Sequence, residues 1–387
     1  MDDNTYQNAV NSPIRILHVI HGMFAYGGTP RELRSLVENC DRGKFRHVFL
    51  LFCNDADNLS DAIRCAGGIV EEVFRPRNYD IRLLFDIIRM VRKYRIDIIN
   101  THFARADIYG MVAGLLCGTP VIKSVHGILW NKSRLMIYLD RLVMPFRYLT
   151  ICNSHASLEA ERKRSHAKKL KVIYNGIVPR ECKLSKEESK IYRKNLRIPS
   201  DCFLVCHIGG LIELRRQDII IDAISIMYEK GIDVYCAIAG KGPEETRLKE
   251  HAKSLNITDR IRFLDYIDDV GNFLSSIDVF VNMAHSEGFG IAVVEAMLAG
   301  APVVLANAGA HPELIVDDES GILVPVSSGQ NLADALTRLA QDPSFRRRLA
   351  QGGKKRANEK FTISRFARDF EDIYETCVKE TQERNES

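Results

Sequence analysis

The sequence predicts an α/β protein made of two doubly wound, parallel-sheet domains. Three observations carry that prediction. Short apolar runs alternate with helix-patterned segments through both halves of the chain. One charged stretch, residues 180–200, interrupts the alternation and ends at Pro199-Ser200. The length, 387 residues, suits two domains of ordinary size.

The elements follow in order. In the first half the expected strands are residues 14–20, 47–52, 69–73, 97–100, 120–125, 148–152 and 171–174. Helix patterns lie between them; Leu83, Leu84, Ile87, Ile88 and Val91 keep helical spacing. Apolar strands alternating with helices form parallel sheets covered on both faces. A linker is expected at residues 181–200. A second series follows at residues 203–208, 234–239, 261–264, 279–282 and 302–306. The two domains are therefore read as residues 1–180 and 201–362, with a cleft between them, and ligands of such sheets bind outside the carboxyl ends of the strands. Ile363, Phe366, Phe370, Ile373, Tyr374 and Cys377 give a last helix an apolar stripe. Beyond Glu380 a frayed tail is expected.

Bulk properties narrow the function. A hydrophobic content of 46% is enough for substantial cores. The ten cysteines form no Cys-x-x-Cys pair, and Cys152 and Cys236 sit inside apolar runs. They read as free thiols in a reducing compartment. Residues 1–13 lack the apolar core of a signal peptide, and no apolar stretch reaches about 18 residues. The expectation is a cytoplasmic protein, free or held on the cytoplasmic face of a membrane. Charge is uneven: residues 1–180 hold 27 Lys/Arg against 17 Asp/Glu, and residues 181–387 hold 27 against 33. The basic first half suits anionic lipid or phosphorylated acceptors.

The richest stretch runs from Ser286 through Glu287, Gly288, Phe289, Gly290 and Ile291 to Glu295 and Met297. It joins a strand pattern to a helix pattern. Its glycines allow a tight turn and close approach to a ligand. The helix start offers N–H groups to an anion. Glu287 and Glu295 can accept from hydroxyls beside it. Phosphate donors flanked by hydroxyl acceptors suit a sugar nucleotide.

This stretch resembles the paired-glutamate signature of glycosyltransferase family 4, the retaining enzymes of the GT-B fold. The likeness continues through Gly300-Ala301-Pro302-Val303-Val304, Gly309, Pro312-Glu313 and Gly321-Ile322-Leu323-Val324. It implies two Rossmann-like domains facing across a cleft. It also implies a C-terminal helix, residues 363–387, returning to the first domain.

The resemblance assigns further residues. Gly27 and Gly28 match a first glycine-pair loop near the donor diphosphate; by spacing alone they are equally a plain strand-to-helix turn. His126, in Ser124-Val125-His126-Gly127, matches a histidine set against the donor sugar, although a lone histidine at a strand end is more often structural. His102, also at a strand end, is read as lining the acceptor side. Asn153 and Asn175 follow later strands, and a turn is a sufficient reading for Asn175-Gly176. After Gly209 the family carries an arginine and, five residues on, a lysine; here Gly210 and Arg215 stand at those positions. A guanidinium binds phosphate in a fork, so Arg215 can serve, with Arg216 as a second cation. Gly240-Lys241-Gly242-Pro243 is read as a structural turn. Ile267 matches a backbone contact to the nucleobase. The cations of residues 130–148 and 162–171 read first as amphipathic and solvated helix faces, and secondly as a contact with anionic membrane.

The implied activity is transfer of a sugar, from a UDP-sugar, to a hydroxyl of a glycan or lipid-linked saccharide. Arg215, the Gly27-Gly28 loop and the helix start after Gly290 would stabilise the leaving diphosphate. Glu287 would hold donor-sugar hydroxyls and Glu295 the ribose. His126, Glu287 and Arg215 are thus the expected catalytic set. No metal or other cofactor and no nucleic-acid partner is expected. The alternatives are a silent sugar-nucleotide-binding protein and a GT-B sugar-nucleotide epimerase. A dinucleotide oxidoreductase is disfavoured, because no Gly-x-Gly-x-x-Gly follows the first strand.

Overall fold

The computed structural model describes residues 12–23, 28–53, 59–77, 79–128, 134–165, 167, 169–179 and 184–386. The chain divides into two compact units, residues 1–176 with 363–387, and residues 177–362.

The first unit begins with β1 (Ile14–Ile20), α1 (Gly28–Asn39), β2 (Phe45–Leu51), α2 (Ser60–Cys65) and β3 (Ile69–Glu72). It continues with α3 (Arg82–Tyr94), β4 (Ile98–His102), α4 (Ala104–Cys117), β5 (Val121–Val125), α5 (Arg134–Val143), β6 (Leu149–Cys152), α6 (His155–Ser165) and β7 (Leu170–Val172). Among the described residues these strands form one parallel sheet in the order β3-β2-β1-β4-β5-β6-β7. Successive side chains of a strand face opposite ways. Ile16 and Ile20 of β1 therefore pack with Leu33, Leu36 and Val37 of α1. Leu17 and Val19 pack on the other face with Leu83, Ile87 and Val91 of α3.

The second unit holds α7 (Lys186–Asn195), β8 (Phe203–Ile208), α8 (Gln217–Glu229), β9 (Val234–Ala239), α9 (Glu245–Ser254), β10 (Ile261–Leu264) and α10 (Val270–Ser275). Then come β11 (Val279–Asn282), α11 (Ile291–Ala299), β12 (Val303–Ala306), α12 (His311–Leu314), β13 (Ile322–Val324), α13 (Gly329–Gln341) and α14 (Pro343–Lys360). Its described strands are also parallel, in the order β10-β9-β8-β11-β12-β13. The last helix, α15 (Ile363–Glu386), belongs to the first unit. Its stripe of Phe366, Phe370, Ile373, Tyr374 and Cys377 joins the core around Ile16 and Leu33.

Three expectations need correction. The segment read as a linker carries α7. Ser185 and Glu188 cap it reciprocally. Arg193 anchors it by donating to the carbonyls of Ser276 at 2.6 Å and Cys202 at 3.0 Å and to Asp278 at 2.9 Å. The tail beyond Glu380 continues as helix to Glu386. The third concerns the basic runs of the first unit, where two of the cations turn inward. Arg147 meets Asp140 at 2.8 Å, and Arg164 meets Asp140 at 2.7 Å and also pairs with Glu161. Both carboxylates share the buried Lys123, at 3.2 and 2.7 Å. Burial by itself would raise the Glu161 carboxyl, but Lys123 and Arg164 hold it at about 2. These cations neutralise a buried cluster and are not offered to a surface. Lys168 and residues 129–133 lie outside the described residues.

Candidate active site

In an open parallel sheet the strand order reverses at a switch point, where the loops leaving two neighbouring strands run to opposite faces and open a crevice. In the second unit that point lies between β8 and β11. The loops after β8, β11 and β12 converge there, and they carry most of the expected residues.

After β8 the chain passes Gly209 and Gly210 into a short 3-10 turn ending at Arg215. His207, fully buried, shapes the base of this loop. Its Nδ1 donates to the Val281 carbonyl at 2.9 Å, so its Nε2 is the acceptor and receives the Gln217 amide at 3.3 Å. The same amide holds the Gly210 carbonyl at 3.0 Å. Arg215 then reaches the loop after β11, where its guanidinium pairs with the Glu287 carboxylate. The two side chains remain 28% and 10% exposed, so the pair faces an opening.

Glu287 is held from three sides. Asn282, the last residue of β11, donates to Glu287 Oε2 at 3.3 Å and accepts from the Ala284 amide at 3.1 Å. The Glu287 carbonyl accepts from the Ala310 amide at 3.0 Å. Gly309, at φ +55°, lies so close that a Cβ there would stand 2.6 Å from the Glu287 nitrogen. Gly290, at φ +100°, makes the left-handed entry to α11. The Val293 and Val294 amides bond back to the Gly290 carbonyl at 3.0 and 3.3 Å, so the helix start suited to an anion is that of the Ile291 and Ala292 amides. Phe289 is buried edge-on against Phe361, with ring centres 5.5 Å apart, which fixes the turn between Gly288 and Gly290. Glu295 lies in the second turn of the helix and is half-buried.

Electrostatics favour a bound anion here. Burial pushes both imidazoles beside Arg215, His207 and His311, down to about 4, and the guanidinium charge adds to the effect. They are neutral at pH 7. Arg215 and the α11 start supply positive potential, while Glu287 supplies an acceptor at the edge.

Two expected residues stay outside this cluster. Arg216 forks onto Asp218 at 3.0–3.2 Å, so its charge is spent at the start of α8. Ile267 is half-buried in the loop after β10, at the sheet edge. Sequence reasoning missed Asn282, His207 and Gln217. The signal available for Asn282 and His207 was a polar side chain at or near the end of a buried strand; Gln217, opening α8, gave none.

In the first unit the switch point lies between β1 and β4. Gly28 opens α1, and Gly27 lies outside the described residues. His126 follows β5; its Nδ1 faces Glu32 Oε2 at 3.7 Å, and its Nε2 meets His102 Nδ1 at 2.8 Å. His102, expected to line the acceptor side, is instead 1% exposed. Asn175 does more than turn the chain, since its amide donates to Glu32 at 2.6 Å. Asn153 accepts from the Ser157 hydroxyl at 2.6 Å, beside the amide cap that Ser154 places on α6.

Two family models match consecutive parts of the chain. Glycosyltransferase Family 4 matches residues 26–181, and Glycosyl transferases group 1 matches residues 188–356. The chain belongs to the family 4, group 1 glycosyltransferases. This transferase is 27% identical over 272 residues to the Escherichia coli O-antigen biosynthesis glycosyltransferase WclY, covering 70% of this chain and 68% of that one. It is 25% identical over 311 residues to an E. coli UDP-Gal:alpha-D-GlcNAc-diphosphoundecaprenol alpha-1,3-galactosyltransferase, covering 76% and 80%. The transferase superposes on Anabaena Alr3699/HepE, solved with UDP-glucose, at a TM-score of 0.82 and 23% identity, covering 94% of this chain and all of that one. That likeness establishes the GT-B architecture of two Rossmann-like units.

Proposed function

We propose that this transferase moves a sugar from a UDP-sugar to a hydroxyl of a glycan or lipid-linked saccharide, with retention at the anomeric carbon, in polysaccharide or glycolipid synthesis. The observation that carries the reading is the convergence of Arg215, Glu287 and the α11 start at the β8/β11 switch point. HepE was solved with UDP-glucose, and the galactosyltransferase relative is named for a UDP-sugar and a lipid-linked acceptor. Both agree with that chemistry.

In the reaction the bond from the sugar's anomeric carbon to the diphosphate breaks, and a bond from the same carbon to the acceptor oxygen forms on the same face. The acceptor proton passes to the leaving phosphate. Arg215 and the α11 amides stabilise the charge growing on the diphosphate. Glu287 orients donor-sugar hydroxyls, Glu295 accepts from the ribose, Ile267 lies beside the base, and His126 meets the donor sugar. Donor binding exchanges the Arg215–Glu287 pair for contacts with phosphate and sugar. No metal ion is required, and full turnover in excess chelator is the corresponding expectation.

A silent donor-binding protein is the second reading, favoured by Gly210 at the position of a family arginine. Incubation with a UDP-sugar panel and candidate acceptors separates the two. Glycosylated product with stoichiometric UDP supports transfer; donor binding without product supports the silent reading.

A membrane-facing patch completes the proposal. Tyr138, Leu142 and Phe146 are 60%, 52% and 62% exposed, and Leu115 and Leu116 are 49% and 64% exposed. Among the described residues no helix is long and apolar enough to cross a membrane. Co-flotation with anionic vesicles, lost in Leu142→Ser/Phe146→Ser, tests peripheral contact.

A further inference from the structure

Four histidines cross the first sheet in a line. β2, β1, β4 and β5 are neighbours in that order. His47 pairs with Ile16, so His18 stands two residues further along the next strand. His18 pairs with Asn100, which puts His102 two residues further again. His102 pairs with Ser124, and His126 follows two residues on. A step of two keeps every ring on one face. The face is that of Ile16 and Ile98, packed by α1 and α15.

The rings join nitrogen to nitrogen. His47 Nδ1 meets His18 Nε2 at 2.9 Å, His18 Nδ1 meets His102 Nε2 at 3.0 Å, and His102 Nδ1 meets His126 Nε2 at 2.8 Å. His126 Nδ1 then faces Glu32 Oε2 at 3.7 Å, and the same oxygen accepts from Asn175. The rings meet in pairs, and among the described residues no three ligand-type side chains are placed to hold a metal ion.

Hydrogen counting decides what the row does. A neutral imidazole has one N–H and one lone pair, so joined rings must all donate in the same direction. Burial keeps the inner rings neutral: His18 and His102 fall well below their ordinary value, and His47 falls to about 4. With every proton on Nδ1, the row ends by pointing the His126 N–H at the Glu32 carboxylate. With every proton on Nε2, His126 turns a lone pair toward that carboxylate. At the far end His47 Nε2 is buried without a partner among the described residues. The first direction leaves a lone pair there, and the second leaves an N–H, the rarer and costlier orphan. Both ends select the same direction.

We propose that His47, His18 and His102 form a one-way hydrogen-bond row that, with the Glu32 carboxylate facing its end, fixes the His126 proton on Nδ1, so that His126 presents an N–H and not a base. His102 occupies the Nε2 lone pair, so His126 has no lone pair left to act as a base. Glu32, His102, His18 and His47 are positioning residues. The tautomer stands independently of the proposed function; its effect on turnover rests on His126 meeting the donor sugar.

The test is ring nitrogen NMR on the full chain labelled with 15N-histidine, assigned by single His→Gln variants. Wild type is expected to show Nδ1–H at His18, His47, His102 and His126. Glu32→Gln, whose amide can donate as well as accept, should release the direction, with Nε2–H appearing in step at His126, His102, His18 and His47. Its turnover should fall about tenfold. Glu32→Asp should keep the tautomers of wild type, and thermal unfolding checks that each variant is folded. Nε2–H in wild type, or a response to Glu32→Gln confined to His126, overturns the row. A tautomer response in step with unchanged turnover upholds the row and overturns the contact between His126 and the sugar.

Discussion

At the residue scale, Arg215 and Glu287 pair with each other, and on the proposed reading each meets a different part of the donor. Glu287→Ala removes the acceptor proposed to orient the sugar and takes away the acceptor of the Asn282 amide. Turnover should fall about 100-fold or more with the fold retained, measured by steady-state kinetics beside thermal unfolding. Gly210 gives a second prediction. A Cβ there meets nothing nearer than the Lys241 carbonyl at 3.8 Å, and its φ lies outside the left-handed range. Gly210→Arg should fold normally and bind UDP about tenfold more tightly, one charge-assisted contact being worth roughly 1.5 kcal/mol. Unchanged affinity would mean that the family's arginine position is not aimed at the diphosphate here. Glu287 and Arg215, which pair in the fold, could be singled out as charged residues in glycine-bearing loops after buried strands, whereas Glu295, in the second turn of α11, was singled out from its place in the motif. The partners that hold them were not, since Asn282 meets Glu287 only after the turn has folded back. Arg216 is held by a local competitor that the sequence reading did not weigh: Asp218, two residues away, accepts its fork.

At the element scale, loops decide the site and strands decide the loops. Gly309 lets the β12 loop lie against the Glu287 backbone, and any side chain would collide there. Gly309→Ala should lower stability by about 1–3 kcal/mol and reduce donor affinity with it, read by chemical denaturation and calorimetry. The strands were legible because buried parallel strands are continuous apolar runs. The run Ile322–Val324 was visible as a motif, yet its three residues are too few to distinguish a strand from a loop. Helix α7 escaped for a different reason. It lacks an apolar stripe, and Ile191 is 57% exposed. A reciprocal cap and the three-way bonding of Arg193 hold it in place. The histidine row was in principle readable, as one histidine in or just after each of four apolar strands. The strand order needed to see it is a tertiary fact.

At the scale of the whole molecule, buried neutral histidines set the acid limit of stability. His47, His207 and His311 are held near 4, below their ordinary 6.5. The unfolded chain therefore binds more protons than the native one between those values. The stabilisation is complete above about pH 6.5 and is lost as pH falls toward 4, by about 1.4 kcal/mol per pH unit for each group. Denaturation midpoints should drop steadily between pH 6.5 and 5, with His47 acting in the first unit and His207 and His311 in the second. A flat profile would contradict neutral burial. The central claim is that the Arg215–Glu287 pair is the donor site. Its most direct test is titration calorimetry of UDP and a panel of UDP-sugars into wild type and Arg215→Ala. The account predicts selective binding of one UDP-sugar by wild type, weakened about 100-fold in the variant, as expected for a lost charged contact to phosphate. Equal affinity in the two proteins would contradict it.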